Sequence, residues 1–164
     1  MKNICVIGSG SWGVALSIHL AKLGNYVKIW SYLQEEADLI NNEKKCKFLP
    51  NVELPDGIYC TTSYEEAVKD TEIILHVTPS QVVRNTVRGY KQYVTNQPVI
   101  MCSKGFEKDT LLTLEDVLKE ELPNAKIAAL AGPSHAEEVS IGIPTAIVIA
   151  AENIELANEI RDIF

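Results

Sequence analysis

Short, uninterrupted apolar runs alternate along the whole chain with longer stretches in which apolar residues recur every three or four positions. Residues 4–7 (ICVI), 26–30, 58–62, 72–78 (EIILHVT), 98–103 (PVIMCS), 126–131 and the β-branched 145–151 have the length and continuity of buried strands. Between them the period changes. A helix opens near Ser11, carries Ala15, Leu16, Leu20 and Leu23 on one face and stops at Gly24. Residues 35–41 predict a short helix, and Ser63 with Glu66 forms a capping box for another that runs through Val68. Pro79 cannot continue a ladder, so Ser80 is the expected N-cap of a helix through about Tyr93. Residues 110–121 and a segment starting at Ile154 complete the helices. Strand and helix alternate throughout, which predicts an α/β fold with a doubly wound, mostly parallel sheet and right-handed crossovers. Ligands of such sheets sit beyond the carboxyl ends of the strands.

The turn after the first strand carries Gly8, Gly10 and Gly13 at G-x-G-x-x-G spacing. Gly8 permits the tight turn, Gly10 leaves room for a pyrophosphate to touch backbone, and Gly13 lets the helix lie close on the strand. Free N–H groups and the positive dipole end of the helix then favour an anion. A glycine pattern alone also describes a tight βα connection that binds nothing. Here the motif follows a strand, opens a helix and is completed by a second strand, which is the βαβ context of a Rossmann-type dinucleotide site.

The length of 164 residues, with 46% hydrophobic and 23% charged, suits one domain with a substantial core, and residues 1–164 read as a single dinucleotide-binding domain. The last helix ends without a polar tail or capping glycine, so the domain reads as cut at its C-terminal end. A net charge of −7, with Lys44, Lys45 and Lys47 as the only basic cluster, argues against nucleic acid or an anionic membrane as partner. The apolar runs are too short to span a bilayer and no signal peptide opens the chain, so the cytoplasm is expected. Cys5, Cys46, Cys60 and Cys102 form no C-x-x-C pair, and His19, His76 and His135 lack metal-site spacing, so no metal is expected.

At the end of the second strand an acidic residue selects NAD and an arginine accommodates NADP. Ser31, Tyr32, Leu33 and Gln34 stand there, with Glu35 and Glu36 slightly late, so the choice between NAD and NADP stays open. Tyr32 reads either as an adenine-stacking ring or as a half-exposed tyrosine packed on the sheet end. Lys104 directly follows the fifth strand, with Gly105 leaving room beside it, and suits a phosphate or a reducible carbonyl; a surface lysine is the plainer reading. In GPSHAEEV, Gly132 and Pro133 make a turn, and Ser134 caps a helix or holds a ligand oxygen. The N–H groups after it offer a second anion-binding end, and Glu137 and Glu138 complement the helix dipole. His135 reads as packing rather than as a proton donor, and His76 as a core histidine with a backbone partner.

With GSGSWG, SKG and GPSHAEEV on one sheet edge, the chain resembles bacterial-type NAD(P)-dependent glycerol-3-phosphate dehydrogenase over essentially its whole length. The tryptophan in the glycine loop, the proline-serine turn after the fourth strand, the lysine-glycine pair and the later G-x-P-T-A occur in that family's order. The resemblance implies that Gly8, Gly10, Ser11, Trp12, Gly13 and Tyr32 contact NAD or NADP, that Lys104 contacts both cofactor and substrate, that Gly132 and Ser134 hold substrate, and that Ala136 meets the cofactor. It implies hydride transfer between the nicotinamide and dihydroxyacetone phosphate or sn-glycerol 3-phosphate, supplying phospholipid synthesis. It also admits a homodimer of the full-length protein. The family's proton-donating lysine belongs to a following all-helical domain, so no catalytic residue is expected here: the chain should bind cofactor without useful turnover. Tyr32 stands where family members often carry histidine or arginine, and His76-Val77-Thr78 replaces a more apolar approach to Pro79. Two alternatives share only the first loop: another two-domain NAD(P) dehydrogenase, and a non-catalytic NAD-sensing regulatory domain.

Overall fold

The structure, a computed structural model, describes residues 1–164. Seven strands form one sheet: β1 (Asn3–Ile7), β2 (Tyr26–Trp30), β3 (Ile58–Thr61), β4 (Ile73–His76), β5 (Val99–Met101), β6 (Ile127–Ala131) and β7 (Val148–Ala151). Their spatial order is β3-β2-β1-β4-β5-β6-β7. Every pair is parallel except β6 with β7, where Ala131 faces Val148 in antiparallel register. Seven helices cover the faces: α1 (Ser11–Lys22), α2 (Gln34–Glu43), α3 (Tyr64–Val68), α4 (Val83–Tyr90), α5 (Leu114–Glu121), α6 (Ala136–Ser140) and α7 (Ile154–Arg161).

The period of two along each strand builds two cores from the same residues. In β1, Ile4 and Val6 point to a core shared with α1, α2, α6 and α7, whereas Cys5 and Ile7 point to one shared with α3, α4 and α5. All four are fully buried, which is why the run carries no polar residue. Each such aliphatic side chain contributes about 1.5–3 kcal/mol on burial. α1 is buried more completely than its predicted stripe: Val14, Ala15, Leu16, Ile18 and Leu20 are inside, while Leu23 is exposed. The helix lies in the angle between β1 and the later α6 and α7, so two of its sides meet protein.

Four features differ from the pattern-based expectation, each for a local reason. Residues 80–93 are not one helix capped by Ser80. A 3₁₀ turn (Ser80–Val82) precedes α4 and another (Lys91–Tyr93) follows it, because the Pro79 carbonyl takes the Val82 N–H at 3.0 Å in a tight i to i+3 turn. α5 starts at Leu114 rather than Thr110, since Thr113 is the cap that accepts the Asp116 N–H at 3.2 Å. The capping box at α3 is half formed: Ser63 Oγ accepts the Glu66 N–H at 3.3 Å, but the Glu66 carboxylate turns to the Thr61 and Tyr59 hydroxyls. The last strand is shorter than 145–151 and runs back against β6, because residues 132–147 leave and rejoin the sheet at the same edge.

Candidate functional site

β1 and β4 are hydrogen-bonded neighbours, yet the chain leaving β1 enters α1 on one face and the chain leaving β4 enters α4 on the other. A crevice must open between those departures, and it does so at the carboxyl ends of both strands. Gly8 has φ +127° and donates its N–H to Trp30 O at 3.0 Å; a Cβ there would stand 2.6 Å from Val77 O. A Cβ on Gly13 would fall on the Gly8 carbonyl oxygen, so α1 packs this close to the loop only because residue 13 has no side chain. Gly10 differs from both. Its φ of −67° suits any residue and nothing lies within 4 Å of an added Cβ, so what its small size leaves is open space above the loop. Gly10 caps α1 without a side-chain bond, and no acidic residue occupies the first turn, which leaves the N–H groups and the dipole end uncompensated.

This space continues into a cleft of about 420 Å³. One wall is Gly10, Ser11 and Trp12; the floor is Val77, Thr78, Pro79 and Ser80; the far wall is Cys102, Ser103 and Lys104 with Ser134, His135, Ala136 and Glu137. Lys104 Nζ donates to Ser134 O at 3.4 Å and lies 6.0 Å from the centre of the Trp12 ring, so the lysine bridges the last two strand-end loops and faces the first. The Trp12 indole N–H is buried without a partner. Open backbone N–H groups and one cation suit the oxygen-rich, anionic middle of a dinucleotide.

Of the residues singled out in the sequence, Gly10, Ser11, Trp12, Lys104, Ser134 and Ala136 line the cleft together. Gly8 and Gly13 shape the loop beneath it, and Gly132, with φ +153°, sets the turn whose carbonyl accepts the Ser134 hydroxyl at 3.4 Å. Ser134 does not cap α6, which begins after His135 and spans only five residues. Tyr32 is 82% exposed and stands away from the cleft, so it is neither half-buried nor packed on the sheet end. His135 is exposed at the rim and does not pack.

Two polar groups have partners that the sequence does not show. His76 is a core histidine, but its partners are side chains: Nδ1 lies 3.0 Å from Tyr90 Oη and Nε2 lies 2.8 Å from Thr78 Oγ1. Burial pushes its pKa down to about 3, so the ring is neutral. Glu36, slightly late in sequence, reaches back from α2 to the end of β2. Its Oε2 accepts from Ser9 Oγ at 2.6 Å and Ser31 Oγ at 3.2 Å, and Lys47 Nζ lies 2.7 Å from Oε1. Burial works to raise the Glu36 pKa, but the bonds from Lys47, Ser9 and Ser31 outweigh it and hold the carboxyl below its ordinary range. Helical spacing from β2 is the signal that would have found it: one turn into α2 returns a side chain to the strand end.

The sheet order, the switch between β1 and β4 and the glycine turn define a Rossmann-type α/β protein. The family described as NAD-dependent glycerol-3-phosphate dehydrogenase N-terminus matches residues 3–157, and the chain belongs to it. A glycerol-3-phosphate dehydrogenase [NAD(P)+] of Fusobacterium nucleatum subsp. nucleatum is 44% identical over the whole chain, and one of Bacillus subtilis is 36% identical. Among solved structures, glycerol-3-phosphate dehydrogenase from Coxiella burnetii superposes with a TM-score of 0.93 at 28% identity over 99% of the chain. The chain spans about half the length of these relatives: 50%, 49% and 50% of each.

Proposed function

We propose that this chain is the dinucleotide-binding domain of a glycerol-3-phosphate dehydrogenase and holds NAD(P)H in the carboxyl-edge cleft. The observation that carries the reading is the convergence of Gly10, Trp12, Lys104 and Ser134 from three separate strand-end loops on one space at the topological switch point. A module that bound a nucleotide and catalysed nothing would need the first loop alone. In this reading the pyrophosphate lies over residues 8–13, on the N–H groups of the first turn of α1. Lys104 meets the cofactor and a substrate phosphate or carbonyl, Gly132 and Ser134 hold the substrate, Ala136 meets the cofactor, and Tyr32 stands over the adenine end. The bound nicotinamide supplies the hydride chemistry that no side chain can.

The substrate pair that follows from the family is dihydroxyacetone phosphate and sn-glycerol 3-phosphate, with the product feeding phospholipid synthesis. Lys104 orients the ketone and stabilises negative charge on its oxygen. Reduction ends with an alkoxide that needs a proton; the resemblance puts the proton-donating lysine in the following domain, and Lys104 and His135 are the groups at the cleft that could stand in for it. The domain accordingly binds and positions, and turnover belongs to the full-length enzyme. Four free, buried cysteines suit a reducing compartment, in keeping with the cytoplasm. No helix is long and apolar enough to cross a membrane.

Kinetics of the full-length enzyme test the reading. Lys104→Ala removes charge-assisted hydrogen bonds of roughly 1.5–3 kcal/mol, so kcat/KM for dihydroxyacetone phosphate falls about one to two orders of magnitude. Unchanged kinetics would make Lys104 an ordinary surface lysine.

A further inference from the structure

The floor of the cleft contains a hydroxyl whose hydrogen has no partner. Thr78 follows β4 at the switch point, is 7% exposed and lines the cleft beside Val77 and Pro79. Its only hydrogen-bond partner is His76 Nε2 at 2.8 Å, and the only partner of the fully buried Tyr90 hydroxyl is His76 Nδ1 at 3.0 Å. The direction of these bonds follows from counting protons. A neutral imidazole has one donor and one acceptor nitrogen. Were Nδ1 the donor, the Tyr90 hydrogen would be stranded with no acceptor, since the hydroxyl makes no other hydrogen bond in the apolar core it belongs to. The satisfied arrangement has Tyr90 O–H donating to Nδ1 and Nε2–H donating to Thr78 Oγ1. Thr78 has then accepted from below, and its own hydrogen is left to point the other way, into the cleft.

From this we infer that Thr78 donates a hydrogen bond to an acceptor oxygen in the central segment of the bound dinucleotide, its pyrophosphate or the adjoining nicotinamide-side ribose, with His76 as the positioning residue that orients the hydroxyl and Tyr90 as the group that fixes the tautomer of His76. The assignment rests on the cleft being the dinucleotide site. It departs from an apolar floor, which would offer shape and no donor. The His76 carbonyl takes the Cys102 N–H at 2.9 Å, which ties its backbone between β4 and β5, and the ring is held at both nitrogens, so the hydroxyl is positioned before a ligand arrives. A donor already oriented loses little freedom on binding.

Calorimetric titration of the chain, its Thr78→Val and its Thr78→Ser variants with NADH, ADP-ribose and AMP separates the outcomes. Thr78→Val is expected to weaken NADH and ADP-ribose about tenfold or more, the scale of one hydrogen bond, and to leave AMP unchanged, while Thr78→Ser retains wild-type affinity for all three. Nitrogen NMR of histidine-labelled protein should show His76 with a protonated, slowly exchanging Nε2 and a bare Nδ1. An Nδ1–H tautomer overturns the inference. So does equal NADH affinity in Thr78→Val, a loss confined to NADH, which would move the acceptor onto the nicotinamide itself, or an equal loss on AMP, which would report general damage. Failure of the wild-type chain to bind either NADH or NADPH overturns the reading of the cleft instead.

Discussion

Two hollows of nearly equal size meet at Trp12, and they are built in opposite ways. The cleft, about 420 Å³, is made of strand-end loops and is lined mainly by hydroxyls, backbone and charge. The other, about 430 Å³, is made of helix faces and the 142–147 segment, and is lined mainly by apolar side chains such as Leu16, Val139, Ile143, Ile149, Ile154 and Phe164. Volume therefore does not tell them apart; the source of the walls does. Loops at the carboxyl edge bring together groups far apart in sequence with backbone N–H groups unpaired, which is what an anionic ligand needs. Packed helix faces offer apolar surface with their backbone already satisfied. Gly10 belongs to the first hollow alone, although Trp12 in the same loop forms a wall of both.

That contrast breaks first at Gly10. Because an added Cβ meets nothing within 4 Å, Gly10→Val should fold, with its thermal midpoint within about 2 °C of wild type, and lose dinucleotide affinity by roughly two orders of magnitude or more. Unchanged affinity in the folded variant, read by calorimetry, would remove the loop from the site. Gly13→Ala should fail differently: the new Cβ falls on backbone, so stability drops by about 3 kcal/mol or more in urea unfolding, and binding suffers only as folding does. Loss of affinity without loss of stability there would mean that α1 has slack the packing does not show.

Acid should sharpen the difference between the cleft floor and the surface. His76 is held neutral with a pKa of about 3 against an ordinary 6.5, so the unfolded chain takes up a proton that the folded one refuses. Stability from this group is fully present above pH 6.5 and declines by about 1.4 kcal/mol per unit as pH falls toward 3. Glu121 and Glu107 act later. Bonds from Arg88 to Glu121 and from Arg84 to Glu107 hold both carboxyls down to about 2, so their contribution is present above pH 4.5 and lost only below it. Urea midpoints measured from pH 7 to 3 should fall steadily from 6.5, and the double variant His76→Val with Tyr90→Phe should be flat between 6.5 and 4.5. The smallest effect belongs to the apolar hollow: Ile154, 66% exposed at the start of α7, should tolerate serine with stability within about 0.5 kcal/mol and dinucleotide affinity within about twofold.

The strands and the glycine turn were legible because each rests on local rules: apolar runs must be buried on both faces, and glycine spacing encodes backbone geometry. Helix starts were less legible, because Thr113 and Ser80 are both plausible caps and only the position of Pro79 decides against the second. The reversal of β7 depends on where residues 132–147 rejoin the sheet, which no pattern within the strand records. At the site, Lys104 and Ser134 are visible as strand-end residues, whereas the contacts of Glu36 and the side-chain partners of His76, read as a core histidine with a backbone partner, are not. Their partners, Ser9, Ser31 and Tyr90, lie 27, 5 and 14 residues away, and only the folded sheet brings them into contact.

On the proposed function, the cleft and not the apolar hollow holds the dinucleotide. An amide-resolved NMR titration of the isotopically labelled chain with NADH reads this directly, since each backbone N–H reports on its own surroundings. Saturable shifts should concentrate at residues 8–13, Thr78, Lys104 and Ser134, with Ile143, Ile154 and Phe164 unmoved. Shifts concentrated on those last three residues, with the glycine loop unmoved, would contradict it.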